Sequence, residues 1–397
     1  MSKKNLLIIL ALYIVSAASS YGVFAAMDKS GAAQQAALNE ESAESKLATL
    51  LNIDPNEAVD QACPLNGKLY TKTEKTAWEA RRPLFVMIEN TPDARPQSGL
   101  SSADVVFEAI AEGGVTRFGA LFYCEAQASE LTLAPIRSAR TYFVDWASGF
   151  NFPMYVHVGG ANVDGPTDAL GQIADYGWDL KNDINQFSVG YPTFVRNYNR
   201  IEGKEIATEH TMETSTEKLW DVAAERGWNN LTPANAGTGK EAAAGKAWQD
   251  NYTGWTFETA TPEKGQTNKI SYDFWSGYTD YSAVWDYDAT SDTYKRSTGG
   301  EAHSDLDNGK QIAASDVIVL LTVEKGPINE KKHMLYTTIG RGKALIFKHG
   351  QSPVEANWIK ATREGELKFV DVKGKDVELA PGMVWISVVS DDTDVSY

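Results

Sequence analysis

The 397-residue sequence predicts an α+β protein, with a mixed α/β N-terminal domain followed by a mainly antiparallel β C-terminal domain. Short apolar runs bounded by Pro, Asn and Gly alternate with capped helical stretches between residues 63 and 228. Beyond residue 269, β-rich segments follow one another with only turn residues between them. A composition of 43% hydrophobic and 11% aromatic residues is enough for two cores. The predicted organisation is a signal peptide or signal anchor at 1–26, a flexible tether at 27–62, the N-terminal domain at 63–228, a linker or insertion at 229–268 and the C-terminal domain at 269–397.

Lys3 and Lys4 precede an apolar run from 6 to 18, and small residues then lead to Val23-Phe24-Ala25-Ala26, the layout of an export signal. Two fates stay open: cleavage after a Val23-x-Ala25 site, or retention, since 6–26 is just long enough to span a bilayer. The protein is therefore expected outside the cytoplasm, held to the membrane by this segment or secreted if it is cut. Residues 28–60, rich in Ala, Glu, Gln and Ser, read as the tether. In an oxidising compartment Cys63 and Cys124 are a candidate disulfide, with two reduced, buried thiols as the alternative. Cysteines so far apart and without a His pattern give no support to a metal site, and no motif calls for a cofactor. A net charge of -16 lacks the basic footprint that nucleic acid requires.

The run 84–88, bounded by Pro83 and Asn90, reads as a buried strand. Gly113-Gly114 between two apolar runs signals a hairpin. A two-residue loop would set Ile110 opposite Arg117 and Ala109 opposite Phe118. Val105, Phe107, Ala109, Phe118, Ala120 and Phe122 would then face the core, and Glu108, Glu112 and Arg117 the other side. Ser138 is placed to N-cap a helix over 139–147 that stops at Gly149, and residues 154–158 alternate as a strand ended by Gly159-Gly160. A helix should start at Pro166, and Thr214-x-x-Glu217 reads as the capping box of another that stops at Gly227. Residues 229–268 are rich in Gly, Ala, Asn and Thr and carry an EAAAGKAW patch suited to a short helix.

The run PLFVMIENTPDARPQSGLSSADVVFEAIAEGGVTRFGALF, then PIRSARTYFVDWA and YVHVGGA, closely resembles the YerB-type family of bacterial lipoproteins, which pairs an N-terminal and a C-terminal domain of unknown function. The C-terminal half matches the same family in VWDYDATSDTYKRSTGGEAHSDLDNG, GRGKALIFKHGQ and PGMVWISVV, so the resemblance covers most of 63–390. It implies an exported, membrane-tethered envelope protein with no agreed activity. This chain lacks the lipobox Cys, which turns attention to a transmembrane tether or to release.

Arg81, Arg82, Arg95, Arg117, Arg137 and Arg140 fall close in sequence to Glu89, Glu108 and Glu112, at strand ends and Gly-rich turns of an otherwise acidic chain. That placement favours a site over a solvated face. Arg137 and Arg140 flank Ser138, and guanidiniums beside free helix amides suit phosphate, sulfate or carboxylate. The candidate ligand-binding residues are Arg95, Glu108, Glu112, Arg117, Arg137, Ser138, Arg140 and His157. Internal ion pairs among the same charges, and a structural role for His157, are the alternatives. No nucleophile elbow, HExxH or CxxC is present. Three functions fit: binding an anionic envelope ligand such as a cell-wall glycan or a phosphate-bearing polymer, an enzyme that transfers or cleaves envelope glycopolymers, or a scaffold that binds an envelope protein through the C-terminal β domain.

Overall fold

The computed structural model describes residues 51–233, 245–260 and 262–397; the segment expected to be an export signal, the expected tether up to residue 50 and part of the EAAAGKAW patch lie outside them. Ten strands form one mixed sheet. The N-terminal region supplies β1 (Leu84–Glu89), β2 (Val105–Glu112), β3 (Val115–Phe122), β4 (Met154–His157) and β5 (Asp183–Asn185). The C-terminal region supplies β6 (Asp316–Thr322), β7 (Gly340–Phe347), β8 (Val354–Lys360), β9 (Lys368–Val370) and β10 (Val384–Ser390). Their order is β9-β8-β7-β6-β10-β2-β3-β1-β4-β5. Parallel pairing of β10 with β2, from Val384 opposite Val105 to Ser387 opposite Glu108, joins the two regions in a single sheet. The C-terminal strands are otherwise antiparallel, as expected, except for the parallel β6–β10 pair.

The helices are α1 (Lys72–Glu79), α2 (Thr141–Ser148), α3 (Ala169–Asp175), α4 (Gln186–Val189) and α5 (Thr216–Glu225). Among the described residues no helix is long and apolar enough to cross a membrane. β1 and β10 read as continuous apolar runs because both faces of the sheet are covered. On one face lies α2, with Trp146 stacked on Phe107 at 5.5 Å. A Cβ at position 119 would sit 2.5 Å from Phe85 and 2.8 Å from Phe143, so only Gly119 lets that helix close down on β3. The smaller sheet containing Ala283–Asp288 and Thr293–Thr298 covers the other face. There Trp285 meets Trp385 at 5.2 Å and Trp385 meets Phe118 at 5.3 Å. Each aromatic so buried contributes on the order of 2–3 kcal/mol.

Cys63 and Cys124 are bonded, 61 positions apart, which ties the start of the folded region to the end of β3 and stabilises it by ~4 kcal/mol. Val59–Ala62, within the stretch expected to be tether, forms a strand against Leu69–Thr71. Segment 245–260 is packed: Trp248 is fully buried with its indole N–H on the Phe150 carbonyl at 2.7 Å, and Phe257 bridges to Leu379.

The hairpin departs from its expected register. Glu112 stands opposite Val115 as a two-residue glycine loop requires, and Gly113 and Gly114 take φ of 51° and 92°. Ala111 is then an extra residue, and beyond it Ala109 pairs with Arg117 and Glu108 with Phe118. The ladder groups released by this bulge find other partners. Ile110 N–H donates to the Tyr336 hydroxyl at 3.2 Å, and Ile110 C=O accepts from the Tyr142 hydroxyl at 2.7 Å. One inserted residue therefore moves Glu108 to the sheet face opposite Arg117, and the expected Glu108–Glu112–Arg117 face does not exist.

Helix starts also differ. The segment before α2 stays extended, with bridges Ile136 to Ile88 and Ala139 to Gly160, so α2 begins at Thr141 behind Arg140 and Ser138 is not its N-cap. Ser215, not Thr214, caps α5 by accepting from Lys218 N–H, and α3 begins behind Asp168.

Candidate functional site

β1 and β4 are parallel, and the carboxyl edge of parallel strands is where α/β sheets usually place ligands. Glu89 ends β1 opposite Arg117 on β3. Residues 137–140 cross this edge, pinned by Arg137 N–H on the Met87 carbonyl at 2.8 Å and Ala139 N–H on the Gly159 carbonyl at 2.9 Å. Arg117 Nη2 lies 3.0 Å from Glu112 Oε2, and its Nη1 donates to the Ser138 carbonyl at 2.8 Å. Arg140 pairs with the same Glu112. Arg137 Nε is 3.4 Å from Glu89 Oε2, and its Nη1 donates to the Glu209 carbonyl at 3.2 Å. Glu89 also faces His210 Nδ1 at 2.9 Å and accepts from Thr91 Oγ1 at 3.0 Å. Three guanidiniums thus share two carboxylates.

Burial pulls the pKa of Arg117, Arg137 and Arg140 below the ordinary guanidinium value, with neighbouring Glu89 opposing this at Arg117 and Arg137. The Nε groups of Arg117 and Arg140 are buried and make no hydrogen bond among the described residues, and the same holds for the Tyr155 hydroxyl. Burial holds that phenol well above its usual range; the Asp183 charge adds to this, while Arg140 and Arg117 act in the opposite sense. Donors left this way cost about 1–3 kcal/mol each unless something accepts from them. The C-terminal region reaches the same place: His333 bridges to Glu112, and Gly113 N–H donates to the Lys332 carbonyl at 3.1 Å. Burial, then Arg140, Lys331 and Arg117, pushes His333 down to about 4. Chemically, guanidiniums in this arrangement are suited to an anion of one or two charges.

The remaining candidates lie elsewhere, except His157, whose ring is 5.3 Å from that of Tyr155. Glu108 is fully buried on the opposite face, 2.8 Å from Arg296 Nη2, and accepts from Thr116 and Asn90. Arg296 sits 4.6 Å over the Trp385 ring and 5.2 Å over Trp285, and its Nε donates to His303 Nδ1 at 3.1 Å. Arg95 belongs to this second group: it donates twice to Asn90 and lies 5.3 Å over the Tyr281 ring. His157 is fully buried with both ring nitrogens engaged, by the Gly159 carbonyl and by Asp183, each at 2.6 Å, which fits a structural role. Arg81 grips Glu217, and Arg82 donates to three backbone carbonyls. Sulfur and carboxylate atoms of Cys63, Cys124 and Asp104 lie within 4.8 Å of one another, but the sulfurs are bonded and Asp104 already accepts from Tyr123 and Cys124 N–H.

Sequence reasoning missed His210, Tyr155 and His333. Tyr155 could have been found from its alternation with His157 on one strand face. His210 and His333 stand in polar loops without periodicity, and only tertiary structure brings them to Glu89 and Glu112.

The fold and the site define a two-part α+β protein in which both sequence regions share a sheet and contribute to one basic edge. The chain belongs to the DUF3048 family, "Protein of unknown function", whose N-terminal domain matches residues 69–229 and whose C-terminal domain matches residues 270–386. It is 29% identical over 350 residues to "Putative lipoprotein YerB" of Bacillus subtilis (strain 168), covering 85% of this chain and 88% of that protein. The crystal structure of YerB from Bacillus subtilis superposes with a TM-score of 0.64 at 27% identity, over 85% of this chain and 99% of the other.

Proposed function

We propose that this is an exported cell-envelope protein, tethered to the membrane through its N-terminal segment, that binds an anionic envelope ligand, a cell-wall glycan or a phosphate-bearing polymer, through Arg117, Arg137 and Arg140. The observation that supports this most is the surplus of buried donors: three guanidiniums against Glu89 and Glu112, with Arg117 Nε, Arg140 Nε and the Tyr155 hydroxyl without a hydrogen-bond partner among the described residues. Anionic oxygens would satisfy such donors through charge-assisted hydrogen bonds. The side chain of Arg137, 28% exposed, gives access from solvent. The export-type leader, the disulfide and the likeness to a protein named as a lipoprotein all support the location. Titration calorimetry with phosphate-bearing wall fragments is expected to give an affinity that falls at least ~10-fold in Arg137→Ala, with an unchanged thermal midpoint. Equal affinity in the two proteins removes the proposal.

A further inference from the structure

Three aromatic side chains near the arginine edge are left in solvent: Phe187 is 77% exposed, Tyr191 62% and Tyr198 43%. Two of them are fixed to the site by contacts. Tyr198 meets Thr208 Oγ1 with its hydroxyl at 3.4 Å, on the same turn whose Thr208 carbonyl accepts from Arg196 and whose Glu209 carbonyl accepts from Arg137. Phe187, in α4, covers Gly159: a Cβ there would lie 2.9 Å from the ring. The Gly159 carbonyl in turn holds Ala139, one residue before Arg140. Exposed rings are thus connected to the 137–140 segment by two routes, Tyr198 through the Thr208–Glu209 turn to Arg137 and Phe187 through Gly159 to Ala139.

Resting on the anion-binding reading, we infer that Phe187 and Tyr198 are sugar-stacking subsites and that the ligand is a glycan whose phosphate or carboxylate groups meet the arginines. A pyranose presents a flat C–H face with hydroxyls at its rim, which suits an open aromatic ring beside polar groups. A protein partner fits less well, because interface cores exclude charge, whereas this rim interleaves its rings with Arg137, Arg196 and Glu209. Phe187 stands on α4 beside Gly159 and Tyr198 beside Thr208, so the two rings belong to different elements.

The test compares two probes, inorganic phosphate and a soluble polymer of phosphate-linked N-acetylhexosamine, on the full chain and on Phe187→Ala, Tyr198→Ala and Arg137→Ala. The wild type is expected to bind the polymer at least ~10-fold more tightly per phosphate than it binds inorganic phosphate. Both aromatic variants should lose most of that difference and keep the phosphate affinity, while Arg137→Ala should weaken both probes. Polymer binding by both aromatic variants at the wild-type level overturns the inference and leaves the rings to a protein partner. Absence of binding of either probe to the wild type overturns the anion-binding reading itself.

Discussion

The two faces of the β2–β3 hairpin carry the same residue types to opposite ends. On one face Glu108 and Arg296 are both wholly buried, and the pair is enclosed by Trp385, Trp285 and Asn90. The other face holds Arg117, Arg137 and Arg140 against two carboxylates and meets solvent at Arg137 and Glu112. An arginine whose surroundings are closed, as Arg296 is between Trp285 and Trp385, is part of the core. An arginine at a solvent-reachable edge is where the proposed ligand would enter. Residue type does not separate the two, and neither does charge balance, since Arg95 and Arg296 stand against the single carboxylate of Glu108; solvent access does.

The sharpest way to break this contrast is Arg296→Leu, which strands Glu108 in the core and should destabilise the fold by ~3–5 kcal/mol in chemical denaturation. A loss below ~1 kcal/mol would mean that the closed pair is not structural. Arg117→Leu should cost less, ~1–3 kcal/mol, because Glu112 keeps Arg140, and it should weaken anion binding at the same time. Stability loss with undiminished binding would move Arg117 to the structural class. The smallest effect is a pH dependence at the open face. His333 falls from its ordinary 6.5 to about 4 in the folded protein, so the unfolded chain binds the proton first as pH drops. Stability should therefore decline between pH 6.5 and 4, by ~1 kcal/mol after solvent screening reduces the ~3 kcal/mol that the full shift would carry, and His333→Gln should flatten that part of the profile. An unchanged slope in the variant would assign the dependence to another group.

Much of the fold was legible because local patterns decide it. The 84–88 strand, the Gly113-Gly114 turn, the stop at Gly149 and the antiparallel C-terminal segments all follow from apolar runs and turn residues. The hairpin register was not legible. The bulge at Ala111 depends on hydroxyls from Tyr142 and Tyr336, the latter 226 positions from Ile110, and no local signal reports them. The same limit applies to the site. Arginine and glutamate counts pointed to one stretch of chain, but one slipped residue divided it between two faces. Ser138 failed as a cap because residues 136–139 were claimed by neighbouring strands.

The pairing of β10 with β2 has a consequence for how the molecule is made. β10 is the last strand in the sequence, yet it lies at the middle of the sheet and supplies the only ladder between β2 and β6. Until residues 384–390 are available, the free side of β2 and the free side of β6 are open strand borders, each able to recruit another chain. The halves are thus poor candidates for separate expression, and a polypeptide arriving N-terminus first would close its sheet only as its final segment emerged.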